Sequence, residues 1–183
     1  IRARHERVLA WLAAAQPDVL CLQEIKAQEP EFPAIEFRAA GYYAAVFGQK
    51  TYNGVAILSK EPPEDVVRGL GDAGAEVDSQ ARLVAATIGG VRVLSAYAPN
   101  GETVGSEKWA YKLRWLERLR AYLDVRCDPE RPLVLCGDLN VAPEPRDVYD
   151  PAAWEGEVLF HPEARAALER VRSWGLIDVL RRH

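Results

Sequence analysis

Two short polar segments interrupt apolar runs in a way that suits chemistry. Gln23-Glu24 follows Val19-Leu20-Cys21-Leu22, and Gly137-Asp138-Leu139-Asn140 follows Leu133-Val134-Leu135-Cys136. A carboxylate delivered at the carboxyl end of a buried strand sits where α/β folds place their sites. In the second segment Gly allows a bend, and strand alternation aims Asp138 and Asn140 to the same side. Two such carboxylates converging would make a hard oxygen site for Mg²⁺ or Mn²⁺, ions that keep waters and pair with phosphate oxygens. The chemistry this pattern points to is metal-assisted phosphoester hydrolysis. Taken singly, each carboxylate is more often a solvated turn residue or a helix cap.

The elements that must position these residues alternate between strand and helix. Val8, Leu9 and Leu12 fall at helical spacing, with Arg2, Arg4, Glu6 and Arg7 on the other face, and Pro17 ends that helix. Asp18 to Leu22 and Leu133 to Cys136 read as strands covered on both faces. Further strands are predicted at Tyr42 to Phe47, Val55 to Leu58, Arg82 to Ile88 and Val91 to Tyr97, the last pair joined by a tight Gly89-Gly90 hairpin. Ser106 is the expected N-cap of a long helix. Its apolar stripe is Trp109, Leu113, Leu116, Leu119 and Leu123, with Lys108, Lys112, Arg114, Arg118 and Arg120 projecting elsewhere. Pro162 opens a final helix with apolar Ala166, Ala167, Val171 and Trp174, and Gly175 sits where a helix-ending positive φ belongs. No Gly-rich strand-to-helix turn is present, which favours an α/β sandwich over a Rossmann sheet.

Composition narrows the class. The chain has 183 residues, 49% of them hydrophobic and 27% charged, which is ordinary globular usage and suggests one domain. No apolar run approaches the roughly 18 residues of a spanning helix, so no membrane role is expected. The net charge of −4 announces no nucleic-acid partner, but the charge is segregated. Lys60 to Gln80 carries two basic and six acidic residues, whereas Glu107 to Arg126 carries six basic and three acidic. Those basic residues fit a solvated helix face better than a DNA contact, because acidic residues are interspersed. Cys21, Cys127 and Cys136 form no C-x-x-C pair and read as reduced structural thiols of a cytoplasmic protein. His5, His161 and His183 fall in no recognisable catalytic motif. The chain contains no Met and opens on Ile1 without a leader, so it is expected to be a piece of a longer protein.

Four segments carry a resemblance. P-D-V-L-C-L-Q-E-I-K at Pro17 to Lys26, Y-N-G-V-A-I-L-S-K at Tyr52 to Lys60, L-S-A-Y-A-P-N-G at Leu94 to Gly101 and L-V-L-C-G-D-L-N-V-A-P at Leu133 to Pro143 occur in this order. Together they resemble the exonuclease III family of abasic-site endonucleases, within the endonuclease/exonuclease/phosphatase superfamily. The ending, His161-Pro162-Glu163-Ala164-Arg165 through S-W-G-L-I-D-V-L-R, is similar to the bacterial branch.

The resemblance implies a DNase I-like four-layer sandwich, two mixed β-sheets flanked by helices, incomplete in this chain. It implies that Glu24 is a metal ligand, that Asp138 orients or deprotonates the attacking water, and that Asn140 helps fix metal, water or phosphate. Tyr97 would contact the scissile phosphate and Asn100 would add a phosphate contact; apart from the resemblance, Lys26 is a candidate site contact because it lies beside Glu24. Gly54 fits close backbone packing rather than chemistry. The implied cofactor is Mg²⁺ or Mn²⁺. The implied partner is damaged double-stranded DNA, cut 5′ to abasic sites with 3′ exonuclease or 3′-end processing activity, by a monomer with no obligatory protein partner. The family pattern also has a preceding strand ending in Asn and a later S-D-H segment. Without them the chain reads as the middle of a larger domain, inactive as an isolated piece. Two alternatives remain: a superfamily phosphoesterase acting on a phosphoinositide, lipid or RNA, and a non-catalytic nucleic-acid-binding fragment.

Overall fold

The computed structural model describes residues 1, 3–71 and 78–182. Arg2 and His183, named above, lie outside the described residues. The chain divides into two compact units, one of Ile1–Tyr97 and Arg131–Asp138, the other of Ala98–Glu130 and Leu139–His183.

Unit 1 holds helices α1 (His5–Ala15) and α2 (Ala34–Ala39) and strands β1 (Val19–Gln23), β2 (Tyr43–Phe47), β3 (Val55–Ser59), β4 (Glu64–Arg68), β5 (Leu83–Ile88), β6 (Val91–Tyr97) and β7 (Leu133–Asp138). These strands make two sheets, one antiparallel in the order β1-β3-β2, the other mixed in the order β4-β5-β6-β7. Ala45, Val55 and Ile57 of the first sheet pack with Val84, Ala86 and Val93 of the second. The opposite face of the first sheet, through Val46, Ala56 and Leu58, packs with Leu12 of α1 and Phe37 of α2. Unit 1 is therefore layered as helices, sheet and sheet.

Several expectations shift in detail. The strand buried along its whole length is β3, whereas β1 is half-buried throughout and β7 leaves Val134 47% exposed. Both β1 and β7 end their sheet orders, so each lacks a neighbour on one side among the described residues. Strand β4 lies inside the acidic stretch, where only Val66 and Val67 gave an apolar signal, and a register shift between Glu64 and Val67 breaks its alternation. The β5–β6 hairpin turns at Gly89 and Gly90 with φ of +55° and +81°, values that favour glycine. Cys21 and Cys136 are free and hydrogen-bond to each other; that bond, then burial, pushes the Cys21 thiol up, and the same bond holds the Cys136 thiol down.

Unit 2 holds α3 (Glu107–Arg126), α4 (Pro151–Trp154) and α5 (Pro162–Arg172). The Ser106 hydroxyl accepts from the Trp109 N–H, as an N-cap does. The buried face of α3 is Trp109, Lys112, Trp115, Leu116, Leu119, Tyr122 and Leu123, and α5 contributes Ala164, Ala167, Leu168 and Val171. Lys112 thus belongs to the buried face and not to a solvated one, Leu113 is only half-buried, and Ala166 is exposed. His161 caps α5, its Nδ1 accepting from the Glu163 N–H at 3.2 Å, and Gly175 has a φ of +127°.

Candidate active site

In unit 1 the site grows from the ends of three strands. Glu24 follows β1, which is tied to the second sheet where Gln23 Nε2 donates to Ser95 Oγ at 3.1 Å. Beyond the strand, the Ile25 and Lys26 N–H groups donate to the carbonyls of Gly54 (3.1 Å) and Asn53 (3.0 Å). Gly54 has a φ of +85°, and a Cβ there would lie 2.5 Å from Ile25 Cγ1. Glycine at this point therefore lets the Y-N-G-V-A segment seat the turn that carries Glu24. Glu24 and Lys26 both have a φ of +50°. Left-handed backbone at non-glycine residues costs energy and concentrates at functional sites.

The Glu24 carboxylate is 44% exposed and pairs with Lys26 Nζ at 2.8 Å. The Lys26 hydrogen bond holds this carboxyl below its ordinary range; burial opposes the effect, and a Tyr97 hydrogen bond and the Lys26 and Arg82 charges add to it. Tyr97 closes β6, and burial, then the neighbouring Glu24 charge, pushes its phenol up. It is therefore a neutral donor at ordinary pH.

Parallel pairing of β6 with β7 sets Tyr97 opposite Asp138. Asp138 is exposed, and its charge also raises the Tyr97 phenol. Immediately before it, Gly137 stands opposite Ala96 with a φ of +145°, in a space too tight for a Cβ. Arg82 completes this group: its Nη1 donates to the Tyr97 carbonyl at 3.2 Å, its guanidinium carbon lies 4.9 Å from the Tyr97 ring centre, and its Nε donates to Gln80 Oε1 at 2.8 Å.

Unit 2 carries the two asparagines. Asn140, with a φ of +51°, donates through Nδ2 to the Ala98 carbonyl at 2.9 Å and accepts from Asn100 Nδ2 at 3.3 Å. Lys112 Nζ donates to the carbonyls of Asn140 (2.7 Å), Val158 (2.9 Å) and Asn100 (3.0 Å).

Of the residues singled out in the sequence, Glu24, Lys26, Tyr97 and Asp138 thus lie within unit 1, and Asn100 and Asn140 bond to each other within unit 2. Sequence reasoning missed Arg82 and the burial of Lys112. Arg82 stands alone before an apolar strand and has no motif of its own. Lys112 did leave a signal, since Trp109, Lys112, Leu116, Leu119 and Leu123 recur at helical spacing.

The donor set bears on a metal. Among the described residues no group of three or more His, Cys, Asp or Glu side chains is placed to hold one. Mg²⁺ is commonly held by one or two carboxylates and otherwise by waters and phosphate oxygens, so an ionised, half-exposed Glu24 fits it, whereas the thiols and imidazoles that zinc prefers are not gathered here.

Residues 2–175 match the family described as Endonuclease/Exonuclease/phosphatase family. The chain is 33% identical to exodeoxyribonuclease III of Haemophilus influenzae, covering 100% of this chain and 72% of that protein. It is 32% identical to an exodeoxyribonuclease of Bacillus subtilis, covering 94% and 67%. Among solved structures, an AP endonuclease from Archaeoglobus fulgidus superposes with a TM-score of 0.95 at 44% identity, covering 100% of this chain and 70% of that one. A 3′-5′ exonuclease from Neisseria meningitidis gives a TM-score of 0.92 at 38% identity, covering 99% and 70%. The expected DNase I-like α/β class, two sheets flanked by helices, is the fold of these neighbours. No helix among the described residues is long and apolar enough to cross a membrane.

Proposed function

Because this chain belongs to the endonuclease/exonuclease/phosphatase family, we propose that it forms the core of a DNA repair nuclease of the exonuclease III type. The substrate is damaged double-stranded DNA, cut 5′ to abasic sites, with processing of 3′ ends as a second activity. The observation that carries this reading is the group in unit 1: Tyr97 opposite Asp138 across β6–β7, with the Tyr97 phenol bonded to an ionised Glu24. The likeness to an AP endonuclease and a 3′-5′ exonuclease supports the choice of DNA.

Glu24 would hold a divalent cation, Mg²⁺ in first place, and that ion supplies charge to a phosphoester oxygen and lowers the pKa of water. Everything else is the work of the chain. Asp138, exposed at its strand end, orients a water and takes its proton. Tyr97, kept as a phenol, donates to a non-bridging phosphate oxygen, and fixed donors of this kind gain most where negative charge develops. Arg82 holds the Tyr97 carbonyl and ring and keeps positive charge beside Glu24. Lys26, Asn100 and Asn140 serve as further polar contacts to phosphate or water.

The test is incision of an end-labelled duplex bearing one abasic site by the full natural chain. Asp138→Asn should lose at least about 10²-fold in rate, the scale of removing a positioned base. Unchanged incision by Asp138→Asn would remove that residue from the chemistry. Inert DNA combined with hydrolysis of an RNA or phosphoinositide would redirect the substrate.

A further inference from the structure

Lys112 is fully buried within unit 2, at 0% exposure, which is unusual for an ammonium. Burial of a cation is costly unless its hydrogens are satisfied. Here three carbonyls from three separate chain segments receive the ammonium: Asn100, Asn140 and Val158, at 2.7–3.0 Å. The side chain is held in turn, because Gly101 lies against its stem, where a Cβ would come 2.9 Å from Lys112 Cδ. The Trp109 ring centre is 5.4 Å from Nζ. Two of the three carbonyls belong to residues whose side chains bond to each other, Asn100 Nδ2 to Asn140 Oδ1 at 3.3 Å. The ammonium therefore grips the main chain of the same two residues whose amides face each other.

We propose that Lys112 is a positioning residue for the nuclease reaction, its buried ammonium clamping the main chain at Asn100 and Asn140 so that their amides hold a fixed orientation toward phosphate or water. This rests on the reading above that Asn140 serves the reaction. Hydrogen bonds from a charged donor are short and directional, so one ammonium fixes both segments at once. Without it, three carbonyls lose their ammonium donor and each segment is free to move. A displacement on the order of 1 Å at a reacting group lowers a rate by about 10²-fold.

The experiment is a double-mutant cycle in the full natural chain, pairing Lys112→Met, which keeps an unbranched apolar stem, with Asn140→Ala. Lys112→Met alone should lower kcat by about 30- to 100-fold and change KM by less than about threefold. In the Asn140→Ala background the same substitution should cost less than about threefold, because the residue it acts through is gone. A folded Lys112→Met with wild-type kcat, or an equal penalty in both backgrounds, would overturn the proposal. If Lys112→Met does not fold, Lys112→Gln, which keeps an amide donor, takes its place in the cycle. Independently of activity, couplings across the hydrogen bonds from Lys112 ¹⁵Nζ to the ¹³C carbonyls of Asn100 and Asn140 should be detectable in the wild type, and their absence would also overturn it. A wild type that incises no DNA but shows these couplings would fail the nuclease reading and leave the clamp standing.

Discussion

Gly137 lies against the Ala96 backbone between the strand that carries Asp138 and the strand that carries Tyr97, so Gly137→Ala strains unit 1 where those two residues stand opposite each other. A Cβ on Gly137 would lie 2.8 Å from the Ala96 carbonyl carbon, 2.9 Å from its nitrogen and closer still to its oxygen. Ordinary contact begins at 3.4 Å, so the β6–β7 pair has to give by at least half an ångström at the carbon and by more at the oxygen. None of the three is a flexible side chain end; all are backbone, and the strain falls on the register that sets Tyr97 against Asp138. With rates falling by about 10²-fold for a displacement on the order of 1 Å, kcat for abasic-site incision should drop by about 30- to 100-fold. Gly90→Ala is the control, since its φ of +81° is also positive but nothing lies within 4 Å of its Cβ. It should lose about 1–2 kcal/mol of stability from the left-handed backbone and leave kcat within about twofold of wild type. The assay is steady-state incision of a 5′-labelled duplex, read beside thermal unfolding of the same preparations. A folded Gly137→Ala with kcat within about threefold of wild type would show that the β6–β7 register does not position Tyr97 and Asp138 for the reaction.

Tyr97→Phe removes the phenol that bonds Glu24, keeps the ring against Arg82, and should lower kcat by about 10²-fold with unchanged circular dichroism. At the other end of the chain, Arg181 Nη2 donates to both Asp147 oxygens at 2.6 Å. Burial raises the Asp147 carboxyl, but the Arg181 and Glu144 N–H hydrogen bonds outweigh it and the net shift is downward from 3.8. A depressed folded pKa stabilises at pH above the unfolded value and loses that contribution as pH falls through the folded one. Asp147→Asn should therefore cost about 1 kcal/mol in urea unfolding at neutral pH, and the difference from wild type should shrink progressively below about pH 4.

Much of unit 1 was legible because its strands are apolar runs with sharp ends. The Gly89-Gly90 turn of unit 1 and the Ser106 cap of unit 2 followed from local chemistry, whereas β1 runs on through Gln23 and β7 through Asp138, one and two residues past their apolar runs. What escaped depended on partners distant in sequence. Strand β4 holds its place by pairing with β5, not by its own Glu64-Asp65-Val66-Val67-Arg68 pattern. Glu24 and Asp138 were visible as polar ends of apolar strands, but the hydrogen bond between Tyr97 and Glu24 and the Arg82 contacts arise only once β1, β5 and β6 assemble. Lys112 was misjudged because charge was weighed before helical position, although its spacing already placed it with Trp109 and Leu116.

In the proposed reaction, phosphodiester cleavage depends on a divalent ion held through Glu24. The most direct measurement is a Mg²⁺ titration of abasic-site incision, begun from chelated protein, for the wild type and for Glu24→Gln. The expected result is no incision in chelator, recovery with Mg²⁺, and a half-saturating concentration raised by at least about tenfold in Glu24→Gln, the smallest change expected on losing a metal-site group. Incision without metal, or coincident titrations for the two proteins, would show that cleavage does not depend on an ion held by Glu24.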